Sequence, residues 1–170
     1  MKEQEASKLE WRMYGLVAYQ LSEIQKGIQF GHAVVEYGLE FGSTLAYQKW
    51  AKEDKTFIIL NGGTTNTRYD ENDNHVGSLN NYRQTLFDEG VQFSSFFEPD
   101  LGDQLTSVVF LVDERVFNRT KWPDYDGPCY LNGTPDHTEY WHWMMKFDES
   151  ENEAQRIVFL RNFLNNFRLA

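Results

Sequence analysis

Between Ser22 and Ala33 the chain sets Gln25, Gln29 and His32 among the small residues Gly27, Gly31 and Ala33. An apolar run, Met13 to Leu21, precedes this segment, so it is expected to open a helix at the top of a sheet, where α/β proteins hold ligands. A helix start offers unpaired N–H groups and a positive dipole end, which suit anions or carbonyl oxygens. Within it, the Gln29 amide can read a ligand's polar edge without pKa tuning. His32 is expected to bond a loop and hold the helix start, a structural rather than catalytic task. A second polar corner, Asn61-Gly-Gly-Thr-Thr-Asn66, is small and flexible enough for backbone contact with a phosphate or sugar, although no Walker lysine follows. Asn61 is its leading residue.

Two other clusters carry less. Asp70 to Gly77 has the beginning of a calcium loop, but His75 stands at the turn glycine's place and Asn81 at the bidentate glutamate's, so calcium is rejected. His137, Trp141, His142 and Trp143 lack zinc spacing, and the single cysteine, Cys129, does not complete a zinc set; packing is expected there. No metal site and no cofactor motif is assigned.

The elements that must position these residues follow from hydrophobic spacing. Residues 11–21 read as a buried strand. Ser22 is an N-cap with Glu23 in the first turn, and the helix runs to about Phe41 before Gly42. Ser43–Lys52 reads as a short helix carrying Trp50, Thr56–Leu60 as a second strand, and Thr64–Gly77 as a polar loop. Ser78–Glu89 has helical spacing, Val91–Phe97 is a third strand, and Glu98-Pro-Asp-Leu-Gly-Asp103 is a turn. Thr106–Val112 is a fourth strand buried on both faces. This order predicts a small α/β fold: a mixed four-stranded sheet with helices on both faces. A loop over 121–136 leads to Thr138–Lys146 and a final helix with Ile157, Leu160, Leu164 and Phe167 on one stripe and Phe163 beside them. The extension, residues 114–170, is therefore mainly helical, packing on the body or forming a homodimer. Residues 1–170 are read as a single domain.

Composition narrows the classes. The 170 residues carry a net charge of −10 and are 16% aromatic, which indicates a filled interior and counts against extended nucleic-acid binding. One cysteine, a charged start and no long apolar run predict a soluble cytoplasmic protein without a membrane segment. The short, Asn-, Tyr- and acid-rich character suits a phage-encoded protein.

Over residues 11–113 the chain resembles the type-two peptidyl-tRNA hydrolase family. That family carries Gly-Lys-x-Ala-Ala-Gln-x-x-His-Ala after its first strand, and Ile24 to Ala33 keeps the Gln29-x-x-His32-Ala33 end. Trp50, Lys55-Thr-Phe-Ile-Ile-Leu, Gly90-Val91 and Thr106-Ser-Val-Val resemble later parts of the family. Gln25 stands in place of the family's lysine, with Lys26 one position away, a rotation of about 100°. The family's arginine-bearing turn is replaced by Glu98-Pro-Asp100.

The resemblance implies hydrolysis of the ester between peptide and tRNA, or of a related acyl ester. Lys26 would then neutralise developing charge, and Asp100 or Glu98 would act as base. Thr106 matches the family's threonine. Lys26, Asp100 and Thr106 are the implied catalytic set, with Gln25, Gln29, His32, Asn61 and Glu98 holding the substrate. The alternatives are a non-catalytic binder that sequesters a nucleotide or small anionic ligand, and an acidic phage-type inhibitor of a host protein. The implied partner is thus a tRNA-linked peptide or a small nucleotide-like ligand.

Overall fold

The computed structural model describes residues 8–64 and 77–170. The calcium-like stretch and the polar loop of the sequence reading lie, apart from Thr64 and Gly77, outside those residues. The chain forms β1 (Trp11–Val17), α1 (Glu23–Phe41), α2 (Leu45–Lys49), β2 (Thr56–Asn61) and α3 (Ser78–Asp88). It continues through β3 (Phe93–Glu98), β4 (Gln104–Asp113), α4 (Glu114–Phe117), α5 (His137–Met144) and α6 (Glu151–Leu164). These make a small α/β fold around a mixed sheet of order β2-β1-β4-β3. β2 runs parallel to β1 through the α1 crossover, while β4 is antiparallel to both β1 and β3.

This topology brings the C-terminal ends of β1, β2 and β3 and the start of β4 to one end of the sheet. α1 starts at that end. The predicted strand over 11–21 stops at Val17, because Ala18 and Tyr19 turn to donate backbone bonds to Thr106 O (3.0 Å) and Gly63 O (2.8 Å). The second predicted helix is shorter than 43–52. α2 gives way at Trp50 to a wider turn over Trp50–Asp54, closed by Lys55 in the left-handed region at φ 50°.

Alternation sorts the central strands between two cores. Met13, Val17, Val109 and Leu111 meet Phe30, Ala33 and Tyr37 of α1 on one face. Tyr14, Leu16, Val108, Phe110 and Val112 meet α3, α5 and α6 on the other. β4 is buried from Leu105 to Asp113, which agrees with the strand expected to be covered on both faces. α1 comes close to the sheet at Gly15, where a Cβ would lie 2.3 Å from the Phe30 ring. Only glycine admits that ring.

The C-terminal extension packs on its own body. Ile157, Leu160 and the adjacent Phe163 are buried in the second core and Leu164 and Phe167 pack half-buried against it, so the predicted apolar stripe is covered within the chain. Arg161, 2% exposed, donates to Arg115 O (2.7 Å), Trp122 O (2.8 Å) and Asp124 Oδ1 (2.7 Å), tying the 119–124 loop to α6. The last residues pair antiparallel with β2, Asn61 N donating to Arg168 O (2.9 Å) and Ala170 N to Ile59 O (3.0 Å). That covers one sheet edge.

Candidate functional site

At the shared end of the strands, α1 places a side chain between two strands. Ser22 caps the helix: its hydroxyl accepts from Gln25 N, and the Gln25 side chain accepts from Ser22 N (3.1 Å). The reciprocal pair fixes the first turn, and Gln25 serves as a helix cap there. One turn on, Gln29 is turned inward and is 6% exposed. Its Nε2 donates to Glu98 Oε2 at 2.5 Å, and its Oε1 accepts from Thr106 Oγ1 at 2.8 Å. Residues 69 and 77 positions apart in sequence therefore meet on one amide. A carboxylate only accepts, so the amide orientation is dictated by Glu98 and the hydroxyl proton by Gln29.

Thr106 faces Gln29 because of a register shift. Phe96 pairs with Ser107 and Phe97 with Leu105, which leaves Thr106 as the extra residue of a β-bulge. An unbroken strand would send Thr106 to the side of Val108 and Phe110, away from α1. The hydroxyl also lies 3.2 Å from Phe96 O, and the residue is 1% exposed. Its neighbour Ser107 is fully buried, with its hydroxyl left without a hydrogen-bond partner.

Glu98 ends β3 and is half-buried, so its carboxylate joins the buried amide to the surface. Its Oε1 accepts from Asp100 N at 3.4 Å, closing the Pro99–Leu101 turn. Asp100 itself is exposed on that turn. His32 stacks on Phe96 with ring centroids 4.5 Å apart and planes 15° from parallel. It braces α1 against β3 by ring contact, where a loop hydrogen bond was expected.

Lys26 lies on the inward arc of α1, with a side chain only 12% exposed, and its ammonium is 2.9 Å from Glu23 Oε1. It neighbours Gln29 along the helix yet bonds within α1 rather than to Glu98 or Asp100. Asn61 sits at the same end of the sheet but on β2, three strand spacings or about 14 Å from β3. Its Oδ1 accepts from Gly63 N (2.9 Å), which makes it a turn-former. The structure thus joins Gln29, Glu98 and Thr106, sets Lys26, His32 and Asp100 around them, and keeps Asn61 apart.

The opposite end of the sheet holds a cavity of about 650 Å³, lined in part by Leu9, Arg115, Trp122, Met145 and Asp148. Arg115, 3% exposed, donates to both Asp113 oxygens (3.0 and 2.9 Å), to Phe147 O (2.9 Å) and to Asp148 Oδ2 (2.8 Å). Sequence reasoning missed this network; the only available signal was Asp113-Glu-Arg115 directly after a buried strand. The aromatic cluster of α5 divides as its helical phase requires. Trp143 packs on Tyr140 and Phe147, whereas Trp141 and His142 stay exposed against each other. Among the described residues, no group of three His, Cys, Asp or Glu side chains could hold a metal ion, and no helix is long and apolar enough to cross a membrane. The sequence matches no family model and no curated protein.

Proposed function

We propose that the chain is a hydrolase of acyl esters, with the ester between peptide and tRNA as the substrate class implied by the resemblance of residues 11–113. The observation that carries this reading is the Gln29 amide held between Glu98 and Thr106. It fixes one carboxylate, partly open to solvent, at the end of the sheet where α1 begins. A carboxylate so oriented can take a proton from an attacking water, which contributes about 10²–10⁴-fold in rate for a well-placed general base. Glu98, rather than the exposed Asp100, is the base in this reading. Thr106 and Gln29 act through Glu98 as positioning residues.

Lys26 supplies the one cation within the first turn of α1. Its partner Glu23 is 81% exposed, so the pair is screened by water and can open for an anionic oxygen of the substrate. Arg12, Arg83 and Arg115 are engaged elsewhere, with Glu10, Ser95 and Asp113.

Release of peptide from a peptidyl-tRNA by the full chain tests the reading. Glu98→Gln should lower kcat by about 100-fold or more, the loss expected for a removed base. Asp100→Asn should change it little. A second reading, a non-catalytic binder of a nucleotide-like anion, is favoured by the engagement of Lys26 with Glu23, away from the Glu98 carboxylate. It predicts no turnover, together with a melting temperature that rises with nucleotide concentration.

A further inference from the structure

The outward face of α1 is as apolar as its inward face. At about 100° per residue, Ile24, Ile28, Gly31, Val35 and Leu39 fall within an arc of about 80°. The wider arc from Val34 to Leu39 adds only Gly27 and Gly38, so no polar or charged side chain interrupts it. Ile24 is 78% exposed, Ile28 50%, Val35 61% and Leu39 78%. A Cβ placed on Gly27 or Gly31 would meet nothing within 4 Å. A surface helix buried on one side is normally polar on the other. Here the spacing 24, 28, 31, 35 is that of a helix–helix seam.

We propose that this face is the contact between two copies of the chain, packed antiparallel about a two-fold axis near Gly31. Such pairing sets Ile24 against Leu39 and Ile28 against Val35, while the glycines let the backbones approach at the axis. The same patch serves both partners, as a two-fold contact requires, and antiparallel helices oppose their dipoles favourably. A chain of net charge −10 repels its own copies over most of its surface. The arc carries no carboxylate, so it is a face on which two copies meet without opposing charges.

The uncovered patch is on the order of 500 Å² per copy. Two such patches, built on the exposed Ile24, Ile28, Val35 and Leu39, come to about 1,000 Å², the lower bound for a specific interface. A bilayer is a poorer occupant, because a helix lying on lipid carries lysines and arginines along its flanks. Here His32, Gln25 and Glu36 border one side of the stripe. The inference is independent of the hydrolase reading.

Sedimentation velocity of the full chain tests it. A species of twice the monomer mass is expected, and Ile28→Lys and Val35→Lys should each weaken association by at least about 100-fold, with unchanged circular dichroism. Gly31→Cys in a Cys129→Ser background should oxidise to a linked dimer at low protein concentration. This arm stands even if a lysine variant fails to fold. A monomeric wild-type chain overturns the proposal, as does a dimer that survives both lysine substitutions. A monomer that co-sediments with phospholipid vesicles would assign the face to lipid and overturn it too.

Discussion

Gln29 is held at both ends of its amide, and that makes small chemical changes there informative. Gln29→Glu sets a carboxylate against Glu98 and should lower both stability and turnover; urea unfolding and peptide release report the two losses separately. Ser107 offers the opposite case. Its buried hydroxyl has no partner, so Ser107→Ala removes an unsatisfied polar group rather than a bond. The expected change is between zero and about 1 kcal/mol of stabilisation, read from the urea midpoint. Gln29 and Glu98 were both legible as candidates, because an amide after a strand and an acidic turn at a strand end are chemical signals. The bulge was not. Period-2 reading of Thr106–Val112 assigns Thr106 to the face of Val108, and only pairing with β3 reveals the extra residue. The place of Lys26 was legible only in part: its rotation relative to Gln25 is computable, but which arc of α1 faces the sheet is set by Phe30, Ala33 and Tyr37.

At the scale of elements, the sheet follows from alternating apolar residues, and α1 from its Ser22 cap and inward triplet. Their close approach rests on Gly15. Gly15→Ala drives a methyl into the Phe30 ring, and the cost should be about 1–3 kcal/mol, as for overpacked cores. Because Phe30 follows Gln29 directly, the same substitution should disturb Gln29, so turnover should fall along with stability. A Gly15→Ala chain of unchanged melting temperature would contradict the packing described here. The boundaries of α2 and of β1 were less legible, since both depend on distant partners. Ala18 N donates to Thr106 O (3.0 Å), which ends β1, and Trp50 Nε1 donates to Thr56 O (3.1 Å) beside the end of α2, bonds that hydrophobic spacing does not encode. The stripe on α6 was legible as apolar, but its destination was settled only by the extension folding back over β4.

At the end of the sheet away from Glu98, Arg115 joins the molecule by linking β4 to the chain before α6 through Asp113 and Asp148. Arg115→Met leaves these carboxylates buried without their counter-charge and should cost about 3–5 kcal/mol. Burial alone would raise the Asp148 pKa, but the Ser150 N–H and the Arg115 guanidinium outweigh it and hold it below the usual carboxylate range. A carboxyl depressed on folding stabilises the chain above its unfolded value of about 4. That stabilisation disappears as the pH falls toward and through the folded value. Wild-type stability should therefore decline below about pH 4, and Asp148→Asn should flatten that decline in urea titrations from about pH 2.5 to 6. At the other end of the sheet, Glu98 is the carboxylate on which the proposed turnover rests. Peptide release from a peptidyl-tRNA, compared between the wild-type chain and Glu98→Gln at equal folded concentration, is the most direct measurement. The prediction is turnover by the wild-type chain and a loss of about 100-fold or more in the variant. Absence of turnover in the wild-type chain, or equal turnover in the two, would contradict it.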